Sequence, residues 1–131
     1  MTPSSGEFLD PGAPVDGAAE NLRLTVADRS DGLGEVVVSG EIDFATHRTL
    51  LDALTEELNR GHHRIVLDLR EVTFCDSTGL GVLVRVRQQA VAGGGWLRLV
   101  DPTSAVRRAL AITNIDQLVP AYPTVADAVA G

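Results

Sequence analysis

Residues 64–84 read RIVLDLREVTFCDSTGLGVLV, an apolar run that gives way to a short polar loop and then to a second apolar run. The run over 64–69 is nearly continuous, which is typical of a strand covered on both faces and so of a central strand. The segment 78–92 after the loop ends at three glycines and must connect two strands, so it predicts a helix although its valines favour a strand. This order indicates an α/β domain.

Upstream of this stretch, the apolar pattern changes its period twice. Alternation of apolar and polar residues predicts a β-hairpin with strands at 22–28 and 35–40. Leucines at positions 50, 51, 54 and 58 then predict an amphipathic helix over 45–60, which Gly61 ends.

Downstream of it, the chain predicts four more elements. A strand is expected at 96–100, then a helix that begins at Pro102 to Ser104 and runs to about Thr113, with Asn114 as a left-handed cap. A short strand near 117–119 and a last helix over 124–130 complete the order. The predicted fold class is therefore α/β with the order ββαβαβαβα, a mixed β-sheet with parallel crossovers packed against α-helices.

The first twenty residues, MTPSSGEFLDPGAPVDGAAE, contain three Pro, three Gly and small polar residues with no usable period. Such a composition does not bury enough apolar surface to offset the entropy of ordering. We therefore expect a flexible N-terminal tail over 1–20 and one domain over 21–131, a length that suits a single core.

Charge and hydropathy limit the classes of partner. The formal net charge is −7, all eleven basic residues are Arg, and no basic run occurs, so a nucleic-acid interface is not indicated and a protein partner is favoured. No apolar stretch approaches 18 residues and the N-terminus lacks the pattern of a signal peptide. We expect a soluble, cytoplasmic protein with no membrane partner.

The cysteine and histidine residues indicate neither a disulfide nor a metal site. Cys75 is the only cysteine and lies among apolar neighbours, where a reduced thiol packs as a small hydrophobe. His62 and His63 lack a further ligand at metal spacing and are expected to be solvated loop residues. No metal or other cofactor is implied.

Ser77 lies in a loop whose residue types resemble those of several catalytic motifs. The elbow of a serine hydrolase needs Gly where Cys75 stands, and all three histidines precede Ser77 instead of following it. A phosphate-binding loop needs a lysine, which this chain lacks altogether, and a dinucleotide fingerprint needs a third glycine where Val84 stands. These enzyme motifs are therefore absent.

Two interpretations of the loop remain open on residue types alone. The hydroxyl of Ser77 or Thr78 caps the following helix while Gly79 and Gly81 permit close packing, or the serine is a phosphorylation switch.

The segment 64–84, with SGEID at 39–43 upstream and DPTSAVRRALAITNI at 101–115 downstream, resembles the STAS domain of bacterial anti-sigma-factor antagonists. The resemblance covers about residues 22–130, and the Asp-Ser-Thr-Gly-Leu-Gly segment is its specific part. It implies the STAS fold and a regulator that is not an enzyme.

The resemblance also implies partners and site residues. By this resemblance, Ser77 is the serine that the anti-sigma factor phosphorylates. The anti-sigma factor would be a serine/threonine kinase of the histidine-kinase-like ATPase fold. A PP2C-type phosphatase would remove the phosphate again. The unphosphorylated protein would bind the anti-sigma factor and so release a sigma factor. Partner-facing positions would be Asp43, Asp76, Ser77, Thr78 and Gly79, with Thr78 a possible secondary phosphosite but more simply a cap.

Two alternative functions are kept beside this one. A STAS module that acts as a scaffold in a stressosome-like or other partner-switching complex would have a similar sequence. A small nucleotide-binding domain is supported only by the glycines at the helix start, and the acidic residue Asp76 in the same loop argues against it.

Overall fold

The computed structural model describes residues 21–28 and 31–131, so the predicted tail over 1–20 lies outside the described residues and the proposed division at residue 20 stays a prediction. Within the described part, five strands alternate with four helices in the predicted α/β manner. The strands are β1 (Leu22–Asp28), β2 (Leu33–Ile42), β3 (Arg64–Cys75), β4 (Trp96–Val100) and β5 (Ala121–Tyr122). The helices are α1 (His47–Asn59), α2 (Ser77–Ala92), α3 (Ser104–Ile112) and α4 (Val125–Ala130).

The sheet follows the order of the chain, β1-β2-β3-β4-β5. β1 pairs antiparallel with β2, and every later pair is parallel. A parallel pair needs a crossover connection, and α1 and α2 supply those that lead into and out of β3. The predicted mixed sheet, its central strand over 64–69 and the helix over 78–92 are therefore confirmed.

The core divides between the two faces of the sheet. Successive side chains of β3 point to opposite faces, so Leu67 lies in the large cluster beneath α1, α2 and α3, whereas Val66 lies in a small cluster beneath α4. The same alternation places Leu99 in the first cluster and Val100 in the second. This near-continuous burial explains why the run over 64–69 carries so few polar residues.

The fifth strand is present, but it lies at Ala121–Tyr122, so its predicted position near 117–119 is wrong. A 3-10 turn occupies Ile115–Gln117, and the backbone N–H groups of Leu118 and Val119 both donate to Ile115 O, at 2.8 and 2.9 Å. Those donors are consequently not available to a strand, and pairing with β4 begins only where Leu99 N donates to Pro120 O. Asn114 has the predicted left-handed conformation, with φ 61°, which starts the turn.

β2 and β3 are both longer than predicted, and their ends meet. β2 runs to Ile42 through two register shifts, and Ile42 pairs with Cys75, the last residue of β3. Gly40 makes this path possible because it has φ 110° and a Cβ there would lie 2.1 Å from Asn21 O. The loops after the two strands therefore leave the sheet side by side.

We expect Leu83→Asp to lower the free energy of unfolding by about 3 kcal/mol or more, because it puts an unpaired charge on a fully buried position of α2. Leu83→Ala should cost about 2–5 kcal/mol and gives a measurable value if the first variant does not fold. Arg85→Ala, on the exposed side of the same helix, is the control and should be nearly silent. Urea denaturation checks all three, and an unchanged midpoint for both Leu83 variants would contradict the buried placement of α2.

Candidate functional site

The parallel register brings two aspartates together at the carboxyl end of the sheet. Asp43 follows the last residue of β2 and Asp76 follows the last residue of β3, in strands that pair directly. Asp76 N also donates to Ile42 O at 3.0 Å, so the second loop is tied to the end of the first strand. Two of the predicted site residues are thus neighbours because of the sheet alone.

The Asp43 carboxylate holds the turn that leads into α1. Its Oδ1 accepts from Ala45 N and Thr46 N, each at 3.0 Å, and from Thr46 Oγ1 at 3.1 Å. The buried Thr46 hydroxyl lies 2.7 Å from Glu41 O and 2.9 Å from Asp43 N, so it links both sides of the turn. Asp43 therefore has a local structural role whatever else it contacts.

The Asp76 carboxylate, and not a hydroxyl, caps α2. Its Oδ1 accepts from Thr78 N at 2.9 Å and from Gly79 N at 3.1 Å, and the Thr78 hydroxyl also donates to it. The prediction that Ser77 or Thr78 caps the helix is wrong because the helix begins at Ser77, which leaves Asp76 in the capping position. A negative charge is favourable at that end of a helix.

Asp76 also joins the two loops. Desolvation is the largest single influence and raises the pKa of Asp76, but hydrogen bonds from the Thr78 hydroxyl and from the N–H groups of Gly79, Thr78 and Phe44 outweigh it and lower the pKa below its ordinary value. The bond from Phe44 comes from the loop after β2. One carboxylate therefore holds the start of α2 and the loop that precedes α1.

The two hydroxyls of the loop differ in their surroundings. Ser77 is exposed in the first turn of α2, and its Oγ makes no hydrogen bond within residues 21–28 and 31–131. Thr78 is half-buried, and its Oγ1 is already engaged with Asp76. Only the Ser77 hydroxyl is presented freely to an incoming protein.

The two glycines of the motif have different reasons to be glycine. A Cβ on Gly79 would lie 2.6 Å from Ile42 Cγ2 and 2.7 Å from Cys75 Sγ, so Gly79 permits the close packing that was predicted for it. A Cβ on Gly81 would have no atom within 4 Å, so the same prediction is wrong for Gly81, which is exposed.

The cysteine and histidine predictions have mixed outcomes. Cys75 is buried and unpaired as expected, and burial, helped by Asp76, raises the pKa of its thiol to about 12. His62, predicted to be solvated, instead places Nδ1 2.9 Å from Oε1 of the buried Glu57. The sequence signal that was missed is the spacing of five between a helical glutamate and a histidine just past the helix end.

Two exposed aromatic rings lie in this region and were not predicted as site residues. Phe44 is 77% exposed and directly follows Asp43, and Phe74 is 48% exposed two residues before Asp76. Large exposed aromatic rings are typical of a protein-binding surface. The signal in the sequence was an aromatic residue near the carboxyl end of each of two adjacent strands.

The described residues contain neither a metal-binding cluster nor a membrane-spanning helix. Nowhere in the described residues do three or more His, Cys, Asp or Glu side chains converge as a metal ion requires. None of the helices over residues 21–28 and 31–131 has both the length and the apolar composition to cross a membrane.

Comparison with known families gives a clear match over most of the chain. The model of the STAS domain matches residues 25–128. The chain belongs to the STAS domain family. The predicted family and fold are therefore confirmed, and the strands and loops that build the site all lie inside the matched part.

Two named proteins are similar to this chain in sequence, and one solved structure is similar to it in fold. A Thermotoga neapolitana protein with a provisional anti-sigma factor antagonist name is 41% identical over 73 residues, which are 56% of this chain and 65% of that protein. The anti-sigma-F factor antagonist RsfB of Mycobacterium tuberculosis is 30% identical over 117 residues, 87% of this chain and 92% of its own. The crystal structure of an anti-sigma factor antagonist from Mycobacterium paratuberculosis superposes with a TM-score of 0.76 at 32% identity, covering 86% of this chain and 96% of that one.

We expect Asp76→Ala to lower the free energy of unfolding at pH 7 by about 1–2 kcal/mol, because it removes the cap of α2 in this STAS domain. Since the folded pKa of Asp76 is lowered, its contribution is complete above the ordinary aspartate pKa of about 4 and is lost as the pH falls below it. Urea denaturation from pH 7 to about pH 2.5 should therefore show the gap to wild type closing in acid.

Asp52→Ala is the matched control, because it removes an exposed carboxylate of α1 that makes no hydrogen bond within the described residues. It should change stability by less than about 0.5 kcal/mol at pH 7. Asp76→Asn keeps an acceptor without the charge and should lie between wild type and Asp76→Ala. A gap between wild type and Asp76→Ala that stays constant over the whole pH range would contradict the role of the carboxylate.

Proposed function

We propose that this protein is an anti-sigma-factor antagonist. Its unphosphorylated form binds an anti-sigma-factor serine kinase of the histidine-kinase-like ATPase fold and releases a sigma factor, and phosphorylation of Ser77 ends the binding. The single observation that carries the proposal is the exposed Ser77 hydroxyl, free of hydrogen bonds within the described residues, on a surface that also presents Phe44. Membership of the STAS family and the names of the relatives support it.

The proposed partner surface consists of Asp43, Phe44, Asp76, Ser77, Thr78 and Gly79. Asp43 and Asp76 contribute mainly by holding the two loops in place, because Oδ1 of each already binds backbone N–H groups. Phe44 supplies apolar contact area, since most of its ring is exposed. Gly79 has no side chain because Ile42 and Cys75 occupy that space.

Phosphorylation would change the charge of this surface more than its shape. A phosphate adds about −1.5 to −2 charges beside the Asp76 carboxylate. The N–H groups of Thr78 and Gly79, which could otherwise stabilise a phosphate, already donate to that carboxylate. Two like charges about 5 Å apart repel by roughly 3 kcal/mol at an effective dielectric constant of 20, and the bulk of the phosphate adds a steric effect.

The protein acts in this scheme as a substrate and a binding partner and not as a catalyst. Within the described residues no base contacts the Ser77 hydroxyl, and His47, the first residue of α1, directs Nδ1 to Phe44 O at 2.8 Å. The Cys75 thiol, with its pKa raised to about 12, is not a thiolate at neutral pH. A kinase and a PP2C-type phosphatase in the cytoplasm would supply the chemistry.

We expect the anti-sigma-factor kinase, supplied with ATP, to add one phosphate to this protein, at Ser77. Phosphopeptide mapping should find none on Thr78, whose hydroxyl donates to Asp76. Ser77→Ala should abolish the modification without loss of stability, because Asp76 provides the cap. Ser104 is the matched control, since it is also an exposed serine at the first position of a helix, and Ser104→Ala should be phosphorylated normally. Phosphate on Thr78 alone would overturn the assignment of Ser77.

We expect wild type and Ser77→Ala to bind the anti-sigma factor, and phospho-Ser77 protein not to bind. Affinity capture from the native cell with Ser77→Ala protein provides this partner, which is recognised by an ATPase-fold kinase domain. Isothermal titration of wild type, Ser77→Ala, Ser77→Asp and phospho-Ser77 protein at low and high salt then measures binding. If charge repulsion causes the loss of affinity, the loss becomes smaller at high salt. If a steric clash causes it, the loss is the same at both salt concentrations.

Ser77→Asp should bind with intermediate affinity, because its carboxylate carries only part of the charge and of the bulk of a phosphate. Equal binding of phospho-Ser77 and Ser77→Ala proteins at both salt concentrations would contradict a phosphorylation-released antagonist. The scaffold function would then describe the protein better.

A further inference from the structure

A cleft between α1 and α2 opens beside the Ser77 loop. Its volume is about 150 Å³. Its lining includes His47, Arg48 and Leu51 from α1 and Thr78, Gly81 and Arg85 from α2. We call it the α1–α2 cleft.

The α1–α2 cleft is basic although the protein as a whole is acidic. Arg48 and Arg85 are exposed on opposite walls, and no acidic residue lines the space between them. Neither arginine forms an ion pair with a carboxylate within residues 21–28 and 31–131, whereas Arg70 pairs with Asp68 and Arg107 with Asp101. Two unpaired guanidinium groups facing one cleft, in a chain of net charge −7, favour an anionic ligand.

His47 connects this cleft to the proposed partner surface. Its Nδ1 donates to Phe44 O at 2.8 Å, because a carbonyl only accepts, so Nε2 is the nitrogen left for other contacts. Its ring also lies against the Phe44 ring, with 5.6 Å between the centroids. The basic cleft and the exposed Phe44 ring therefore form one continuous surface beside Ser77.

Gly81 suggests that something approaches this surface closely. Glycine inside a helix costs about 0.5–1 kcal/mol relative to alanine. Nothing in the fold requires it, since a Cβ on Gly81 would meet no atom within 4 Å, in contrast to Gly79. The missing side chain keeps the cleft open between Arg48 and Arg85, where an added methyl group would fill part of a small volume.

We propose that the α1–α2 cleft binds an acidic segment of the anti-sigma factor, with the partner's carboxylates meeting Arg48 and Arg85 and its backbone passing over Gly81. This rests on the proposed function, because it names a second part of the same interface. An anionic protein segment is favoured over the phosphate on Ser77 itself, since Thr78 lines the cleft and Ser77 does not.

The test of the charges uses full-length protein and the purified anti-sigma factor captured with Ser77→Ala. Arg48→Glu and Arg85→Glu should each weaken binding about tenfold or more in isothermal titration at low salt, and the double variant further. Arg108→Glu is the matched control, because it changes the net charge equally from an exposed position on α3 outside the cleft. Arg108→Glu should change the affinity by less than about threefold. This change measures the long-range effect of net charge on association, without contacts in the cleft.

The test of the close approach uses Gly81→Ala. This variant should raise the thermal midpoint, since alanine favours the helix, and yet weaken binding by about fivefold or more. A purely structural role of Gly81 would not move the two measurements in opposite directions. Gln88→Ala, at an exposed position of the same helix, is the control and should leave binding unchanged.

Three outcomes would overturn the proposal. If Arg48→Glu and Arg85→Glu bind as tightly as Arg108→Glu, or if Gly81→Ala binds like wild type, the cleft is not part of the interface, while the proposed function stands. If the arginine variants bind as tightly as Arg108→Glu and also shift the phosphorus-31 NMR resonance of phospho-Ser77, the cleft holds the phosphate and not a segment of the partner. If wild-type protein binds no anti-sigma factor, the proposed function fails and this inference fails with it.

Discussion

The hydrogen bonds of the Asp76 carboxylate are the constraint on which the site depends. The carboxylate caps α2 through Thr78 N and Gly79 N, and the backbone N–H of Phe44 in the neighbouring loop helps to lower its pKa. Because β2 and β3 end side by side at Ile42 and Cys75, a single group reaches both loops. Without the parallel register the two loops would separate, and without the carboxylate the bond from Asp76 N to Ile42 O would be left to tie the second loop to the end of β2.

The sequence predicts the sheet well because burial on both faces leaves a strong pattern. The apolar run over 64–69 can be satisfied only in a central strand, and the length of 78–92 decides for a helix against the strand preference of its valines. The position of the fifth strand, expected near 117–119, is predicted wrongly because the pattern there is weak. This segment is short, only Val119 is buried, and a turn at Ile115 uses the backbone donors that a strand would need.

The site is predicted less completely, because its properties depend on small shifts and on contacts distant in the chain. Moving the start of α2 by one residue transfers the cap from a hydroxyl to Asp76, and no periodic pattern fixes a helix start that closely. The α1–α2 cleft joins Arg48 to Arg85, which are 37 positions apart and belong to separate helices. Local spacing carries no sign of that juxtaposition.

The arrangement separates stability from recognition within a stretch of only six residues. Asp76, Thr78 and Gly79 anchor the loop, each by a hydrogen bond or by tight packing against Ile42 and Cys75. Ser77 and Gly81 face outward and have no contact that the fold needs. Changes at the outward positions, including the addition of a phosphate, therefore alter what a partner meets without weakening the core. Since anchoring residues flank Ser77 on both sides, the backbone that carries its hydroxyl is held in place, and a single modification there acts on a preformed surface instead of on a flexible loop.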